Sequence, residues 1–261
     1  MVSPRPAQAD LREALLEAAA RVLAQDGPVG LSTRRLAKEV GSSTMAVYTY
    51  FGSMDDLVRA VVREGFARLN TSMTAIGDSA DPVADVVAHG RVYRWNAYKN
   101  PDLYQVMLGA LNIAGFSLTD EDRLHGRYVL DVLVASVRRC MAASRFHDGD
   151  PESVAHQFWT ALHGIVTLEL GGYLFPPYDA DACFDAQVHS LIVGNGDDSA
   201  GAWSSMRRSI RIADRALRAV GEETGWVEGS APESVGSVGA VGSVGSVGSV
   251  GAVGSEGGVR P

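Results

Sequence analysis

The 261-residue chain is predicted to fold as an all-α protein. Three observations carry this. Apolar residues recur at intervals of three and four along most of the chain, the spacing that lines one face of a helix. The runs are separated by helix-stopping or helix-capping residues, among them Gly27-Pro28, Gly41, Gly52-Ser53, Asn100-Pro101 and Phe175-Pro176-Pro177. No stretch alternates apolar and polar residues convincingly with the period of two that a half-buried strand needs.

The elements follow in order. Leu11, Ala14, Leu15, Ala18, Ala19, Val22 and Leu23 mark one face of a first helix, with Asp10 placed to cap its start and Gly27-Pro28 to end it. Ser32 can cap a short helix that reaches Val40 and stops at Gly41. A second short helix spans about 44–51, capped by Ser43, and Gly52-Ser53 breaks the chain before a longer helix over about 54–73. Further helical patterns cover about 82–99, 101–113, 119–145, 152–174, 179–194 and 202–220. From residue 234 to 254 the chain is seven consecutive triplets, each Ser-Val-Gly or Ala-Val-Gly, without the proline of a collagen helix. Such a repeat has nothing bulky to bury and maximal backbone entropy to lose, so residues 228–261 are expected to form a disordered tail.

Composition excludes several function classes. The net charge of -8 argues against a protein that coats nucleic acid by bulk attraction. Residues 1–60 nevertheless hold seven Arg or Lys against seven Asp or Glu, so the deficit lies in the body and a local DNA-binding patch remains open. The first ten residues contain Pro4 and Pro6 but no apolar block, and the run 129–137 is interrupted by Asp131, so neither a secretory signal nor a membrane span is expected. Cys140 and Cys183 are too few for a disulfide scaffold or a zinc cluster. The expectation is a cytoplasmic protein with no membrane partner.

Residues 31–51, LSTRRLAKEVGSSTMAVYTYF, read as two short helices joined by a tight turn. Leu36, Ala37, Val40, Val47 and Phe51 can pack inward against the first helix. Thr44, Met45, Tyr48 and Thr49 are left on the opposite face of the second short helix, which suits the major groove of DNA. Thr33, Arg34, Arg35 and Lys38 add polar and cationic groups beside it, near helix-start amides that favour phosphate.

At this point the chain resembles the TetR family of bacterial transcription regulators. The resemblance rests on the amphipathic first helix, Gly27, the segments LSTRRLAKEVG and VYTYF, and the following DDLVRAVV. It implies a helix-turn-helix DNA-binding domain over residues 8–70, with the motif at about 32–51, and a helical effector-binding and dimerisation domain over 75–220. It also implies that Thr33 and Arg34 contact DNA from the first motif helix, and Ser43, Thr44, Met45, Tyr48, Thr49 and Tyr50 from the recognition helix and its end. Hydroxyls at Thr33, Tyr48 and Tyr50 would hold phosphates, while Arg34, Thr44 and Met45 would reach base edges. One departure is Met54, where the family commonly has a phosphate-gripping lysine; one cation fewer implies a shallower salt dependence.

The body shows no defensible catalytic constellation. Lys38 and Lys99 are the only lysines and neither follows a P-loop glycine, no histidine precedes a glutamate as in a zinc-protease helix, and Gly-x-Ser-x-Gly does not occur. His156 and His163 share a face seven residues apart, too far for one metal without further ligands. No enzyme, metal or cofactor is expected. The run Phe158-Trp159-Thr160-Ala161-Leu162-His163-Gly164 resembles the WHG type of C-terminal domain of a TetR-family subset, which implies that this helix and the next build a homodimer's four-helix bundle. Gly164, Gly171 and Gly172 would then permit close helix approach.

The same resemblance implies a cavity for a small apolar or amphipathic effector. Its candidate walls are Trp95, Tyr98, Tyr104, Met107, Leu111, Phe158 and Leu162, with His163 as a possible ligand group; ordinary core packing fits the same residues. The expected function is a repressor released from a palindromic double-stranded DNA operator when the effector tilts the helix starting at Met54. The alternative is an activator or architectural regulator without an effector. The arginines of the last helix, Arg207, Arg208, Arg211, Arg215 and Arg218, read as a solvated face.

Overall fold

A computed structural model describes residues 8–108 and 116–224, and every regular element among them is an α-helix. In chain order these are α1 (Gln8–Gly30), α2 (Thr33–Glu39), α3 (Thr44–Phe51), α4 (Met54–Thr74) and α5 (Pro82–Lys99). They continue as α6 (Pro101–Met107), α7 (Asp120–Ala142), α8 (Pro151–Leu170), α9 (Ala180–Gly194) and α10 (Ser199–Thr224). Among the described residues no helix is long and apolar enough to cross a membrane.

The head is built from α1 to α3 and the first half of α4. Leu15, Ala18, Val22 and Leu23 of α1 share a dry core with Leu36 of α2, Val47 of α3 and Leu57, Val58 and Val61 of α4. Ser32 caps α2 as expected, its hydroxyl accepting the Arg35 amide at 3.3 Å. One expectation is corrected here. Helix α1 starts at Gln8, so Asp10 lies inside it instead of preceding it. The helix is interrupted where expected: Gly27 adopts φ 63 and ψ -169, a conformation natural to glycine, and only a short helical piece follows to Gly30. Ser43 holds the N-cap position of α3, but its hydroxyl makes no capping bond.

In the body, α5 runs through the centre, packed by α4, α6, α7, α8 and α10, and its residues 82–89 are all buried. Helix α6 packs on both α1 and α4, tying body to head. The expected helix over 101–113 ends at Met107 among the described residues, and Leu111 lies outside them, as does the 228–261 tail. Helix α8 ends at Leu170, before the predicted 174, because Gly171 caps it and Gly172 turns the chain at φ 72. Helix α10 is longer than predicted at both ends and covers α5 with Ala202, Met206, Ile212, Ala213 and Ala216.

Two buried carboxylates anchor this arrangement. Asp81 caps α5 by accepting the Ala84 amide at 3.1 Å and also takes Arg208 of α10 at 2.7 Å. Burial alone would raise its pKa, but the bonds from Arg208, Ala84 and Ser205 hold it below the usual carboxylate value. Asp85 is fully buried and accepts the Ser79 amide at 3.0 Å, the Ser79 hydroxyl at 2.6 Å and Arg139 of α7 at 2.7 Å. Removing one partner of a buried ion pair leaves an uncompensated charge and costs about 3–5 kcal/mol. Arg139→Ala is therefore expected to lower unfolding stability by that order. Arg123→Ala, whose partner Asp120 is 99% exposed, should change it by less than about 1 kcal/mol. Urea denaturation of the two variants checks this, and equal losses would contradict the anchoring role of Asp85.

Candidate nucleic-acid interface and ligand cavity

Helices α2 and α3 meet at a turn that Gly41 makes possible with φ 63, while the Ser42 amide donates to the Ala37 carbonyl at 2.8 Å. Ala46 and Val47 bury one side of α3, which turns Thr44, Met45, Tyr48 and Thr49 to solvent together. Met45 is 64% and Tyr48 47% exposed, an unusual amount of bare apolar surface on an eight-residue helix. Arg34 and Ser43 are exposed beside them, while Thr33 and Tyr50 are half-buried. The Thr49 hydroxyl donates to the Met45 carbonyl at 2.9 Å, so its oxygen lone pairs are what it offers outward. Thr44, Met45, Tyr48 and Thr49 therefore share the exposed face of α3, with Arg34 and Ser43 also exposed, whereas Tyr50 packs against the core.

The cations around it divide. Arg35 bridges Asp26 of α1 at 2.5 Å and Glu39 at 3.1 Å, and these hydrogen bonds, Glu39 first, raise its pKa. It clamps α2 to α1. No ion pair of Arg34 or Lys38 is found among the described residues. At the start of α4 the Ser53 hydroxyl accepts the Asp56 amide at 3.0 Å, and Asp55 and Asp56 follow Met54, so this end is acidic where the family commonly has a cation.

The body encloses a cavity of about 370 Å³. Helix α4 contributes Phe66, Leu69 and Met73, and α5 contributes Val86, Val87, His89, Gly90 and Tyr93. Helices α7, α8 and α9 close it with residues that include Leu133, Trp159 and Phe184. Of the sequence-derived wall candidates, Met107, Phe158 and Leu162 border it. Trp95 and Tyr98 do not: Trp95 lies two residues beyond Tyr93, roughly 200° around the helix, and Tyr98 is 63% exposed. Tyr104 and His163 also stand off the cavity. The Tyr104 hydroxyl lies 2.8 Å from His163 Nδ1 and 3.2 Å from the Tyr93 hydroxyl, a polar contact joining α5, α6 and α8. Burial raises the pKa of both tyrosines and lowers that of His163, favouring the neutral form of each.

Sequence reasoning missed His89 and the α4 wall. His89 is 2% exposed, its Nε2 lies 3.0 Å from the Ser136 hydroxyl, and its buried Nδ1 has no hydrogen-bond partner. Burial pushes its pKa down to about 4. Asp85 and Asp78 oppose this shift and Arg139 reinforces it. A polar pair, Asp85 and His89, four residues apart in an otherwise apolar run was the available signal.

On α8 and α9 a further surface is bare. Leu168 is 46% and Val193 37% exposed, and a Cβ placed on Gly164 or Gly194 would meet no atom within 4 Å. Among the described residues no three His, Cys, Asp or Glu side chains group as a metal site.

The family model described as bacterial regulatory proteins, tetR family, matches residues 15–61, and one described as Tetracyclin repressor-like, C-terminal domain, matches residues 86–191. An uncharacterized HTH-type transcriptional regulator of Mycobacterium tuberculosis is 27% identical over 73% of this chain and 83% of its own length. The HTH-type transcriptional repressor AcnR of Corynebacterium diphtheriae is 28% identical over 62% of this chain and 82% of its own. A solved protein of unknown function from Rhodococcus matches with TM-score 0.63 at 27% identity, covering 75% of this chain and 98% of that one.

The His89 shift has a stability consequence. As pH falls below the ordinary histidine value of 6.5, the unfolded chain takes up a proton that the folded chain refuses until about pH 4. The contribution is therefore complete above pH 6.5 and lost on acidification, by roughly 2–3 kcal/mol at pH 4. Urea melts across this range should show a shallower decline for His89→Gln than for wild type; parallel declines would contradict the assignment.

Proposed function

The chain belongs to the TetR family of bacterial transcription regulators, and on that premise we propose that it binds a pseudo-palindromic operator as a homodimer and leaves it when a small apolar or amphipathic effector fills the body cavity. The observation that carries the reading is α4, whose first half lies in the head core and whose second half walls the cavity.

DNA recognition is assigned to the head, residues 8–70. Arg34, Thr44 and Met45 reach base edges, and Thr33, Ser43, Tyr48, Thr49 and Tyr50 hold the backbone or flank the groove. The support is the exposed face of α3 carrying Thr44, Met45, Tyr48 and Thr49, with Arg34 exposed and without internal ion pairs among the described residues while Arg35 is consumed by Asp26 and Glu39. A duplex presents two half-sites one helical turn apart, about 34–36 Å, and a two-fold dimer meets both. The bare α8 and α9 face, open at Gly164 and Gly194, supports an isologous four-helix contact in the body, residues 75–220.

Release follows from shared walls. An occupant pressing on Phe66, Leu69 and Met73 displaces α4 itself, and α4 carries α2 and α3. A switch from mostly bound to mostly free requires roughly 5 kcal/mol of preference for the displaced state.

An operator selected from random duplexes provides the test. Arg34→Ala is expected to weaken binding to it by roughly 1–3 kcal/mol and to relax preference at one position in each half-site. Unchanged affinity and preference, measured by fluorescence anisotropy, would contradict the assigned interface.

A further inference from the structure

Resting on the DNA-binding reading above, we propose that Arg12 of α1 is a further DNA contact, a phosphate clamp mounted on the Phe51 ring at the end of the recognition helix.

The position follows from α3. Phe51 is the last residue of that helix and stands three positions after Tyr48, so the two are neighbours on its surface, about 60° apart around the axis. Tyr48 belongs to the exposed face, while Phe51 is half-buried against the core at the edge of that face. Arg12 lays its guanidinium over the Phe51 ring, with Cζ 5.1 Å from the ring centroid. A ring attracts a cation through its π face and takes up none of the strong acceptor bonds a guanidinium can make, so the N–H donors are not consumed by this contact. Phosphate is the group those donors fit, because the planar fork matches two of its oxygens at once.

The charge is also uncommitted. Arg12 is exposed, and among the described residues it makes no ion pair and no hydrogen bond. The other arginine of α1, Arg21, pairs with Glu17 and Glu39. Beyond Phe51 the chain turns at Gly52 into α4, whose first turn carries Asp55 and Asp56. A DNA backbone passing this end of α3 meets those carboxylates, and Arg12 supplies the opposite charge. A phosphate contact fixes the protein on the duplex without reading sequence. Arg12 thus complements Arg34, which is assigned to base edges.

The test uses the full chain, the selected operator and an unrelated duplex of equal length, with affinities measured by anisotropy across a salt series. Arg12→Gln, Arg12→Lys, Arg34→Ala and Arg211→Gln are compared, each verified as folded by its helical circular dichroism. Arg211 is exposed on α10 and controls for the loss of one charge. Arg12→Gln is expected to weaken binding to both duplexes by the same factor, about tenfold at low salt. It should also lower the slope of log affinity against log salt by about two for a dimer, ~0.9 for each phosphate released. Arg12→Lys should keep most of the slope because the charge remains, and Arg211→Gln should leave it unchanged. An Arg12→Gln slope equal to wild type would overturn the proposal. So would a loss confined to the operator, a loss shared equally by Arg12→Lys, or the same slope change in Arg211→Gln. The two readings fail separately. Wild type binding neither duplex refutes DNA binding and Arg12 with it, whereas altered preference in Arg34→Ala beside a wild-type slope in Arg12→Gln refutes the Arg12 assignment alone.

Discussion

One helix belongs to two cores. Helix α4, about 30 Å long at 1.5 Å per residue, places Leu57, Val58 and Val61 in the head and Phe66, Leu69 and Met73 against the cavity. Its contacts with the body are close. A Cβ on Gly65 would stand 2.7 Å from the Met107 sulfur, and one on Gly126 would stand 2.8 Å from the Phe66 ring. A larger residue at either position would require the Met107 or Phe66 side chain to shift. The start of α7 is latched to the same helix by Asp122, which is 1% exposed and takes Arg59 at 3.1 Å and Arg63 at 3.6 Å. Close-packed interiors shift between discrete arrangements more readily than they deform. Under the proposed function, a change in the cavity would be transmitted along a rod that also packs against α3.

Charge is distributed in keeping with this division. In the body, arginines are drawn into pairs: Arg91 with Asp185, Arg94 with Glu169, Arg139 with Asp85, Arg145 with Asp197 and Arg208 with Asp81. These bonds hold α5, α7, α8, α9 and α10 together. In the head, Arg35 does similar structural work, while Arg34 beside the recognition helix does not. On the proposed function, an acidic protein would approach DNA through a small surface that includes Arg34, with the negative body carried by other helices.

The head was readable from sequence because its determinants are local. Ser32 lies three residues from the amide it caps, and Gly41 and Gly52 sit where the chain needs positive φ. The misreading there, Asp10, concerns how far a helix extends before a possible cap: the described helix already runs from Gln8. The cavity was less readable. Trp95 and Tyr98 carry the right chemistry on the wrong side of α5, and the inward side is fixed by partners far along the chain. His89 acquires its meaning from Ser136 and Asp85 from Arg139, separations of 47 and 54 residues that no local pattern encodes.

Amide hydrogen exchange with and without the selected operator tests the two-core role of α4 most directly. If cavity and operator are linked through this helix, linkage is reciprocal and DNA must alter the cavity wall as the wall alters DNA binding. The account predicts changed protection in residues 66–73 of α4 and 126–133 of α7, neither of which is assigned a DNA contact. Changes confined to residues 31–56, with both wall segments exchanging at the same rates in either state, would contradict it.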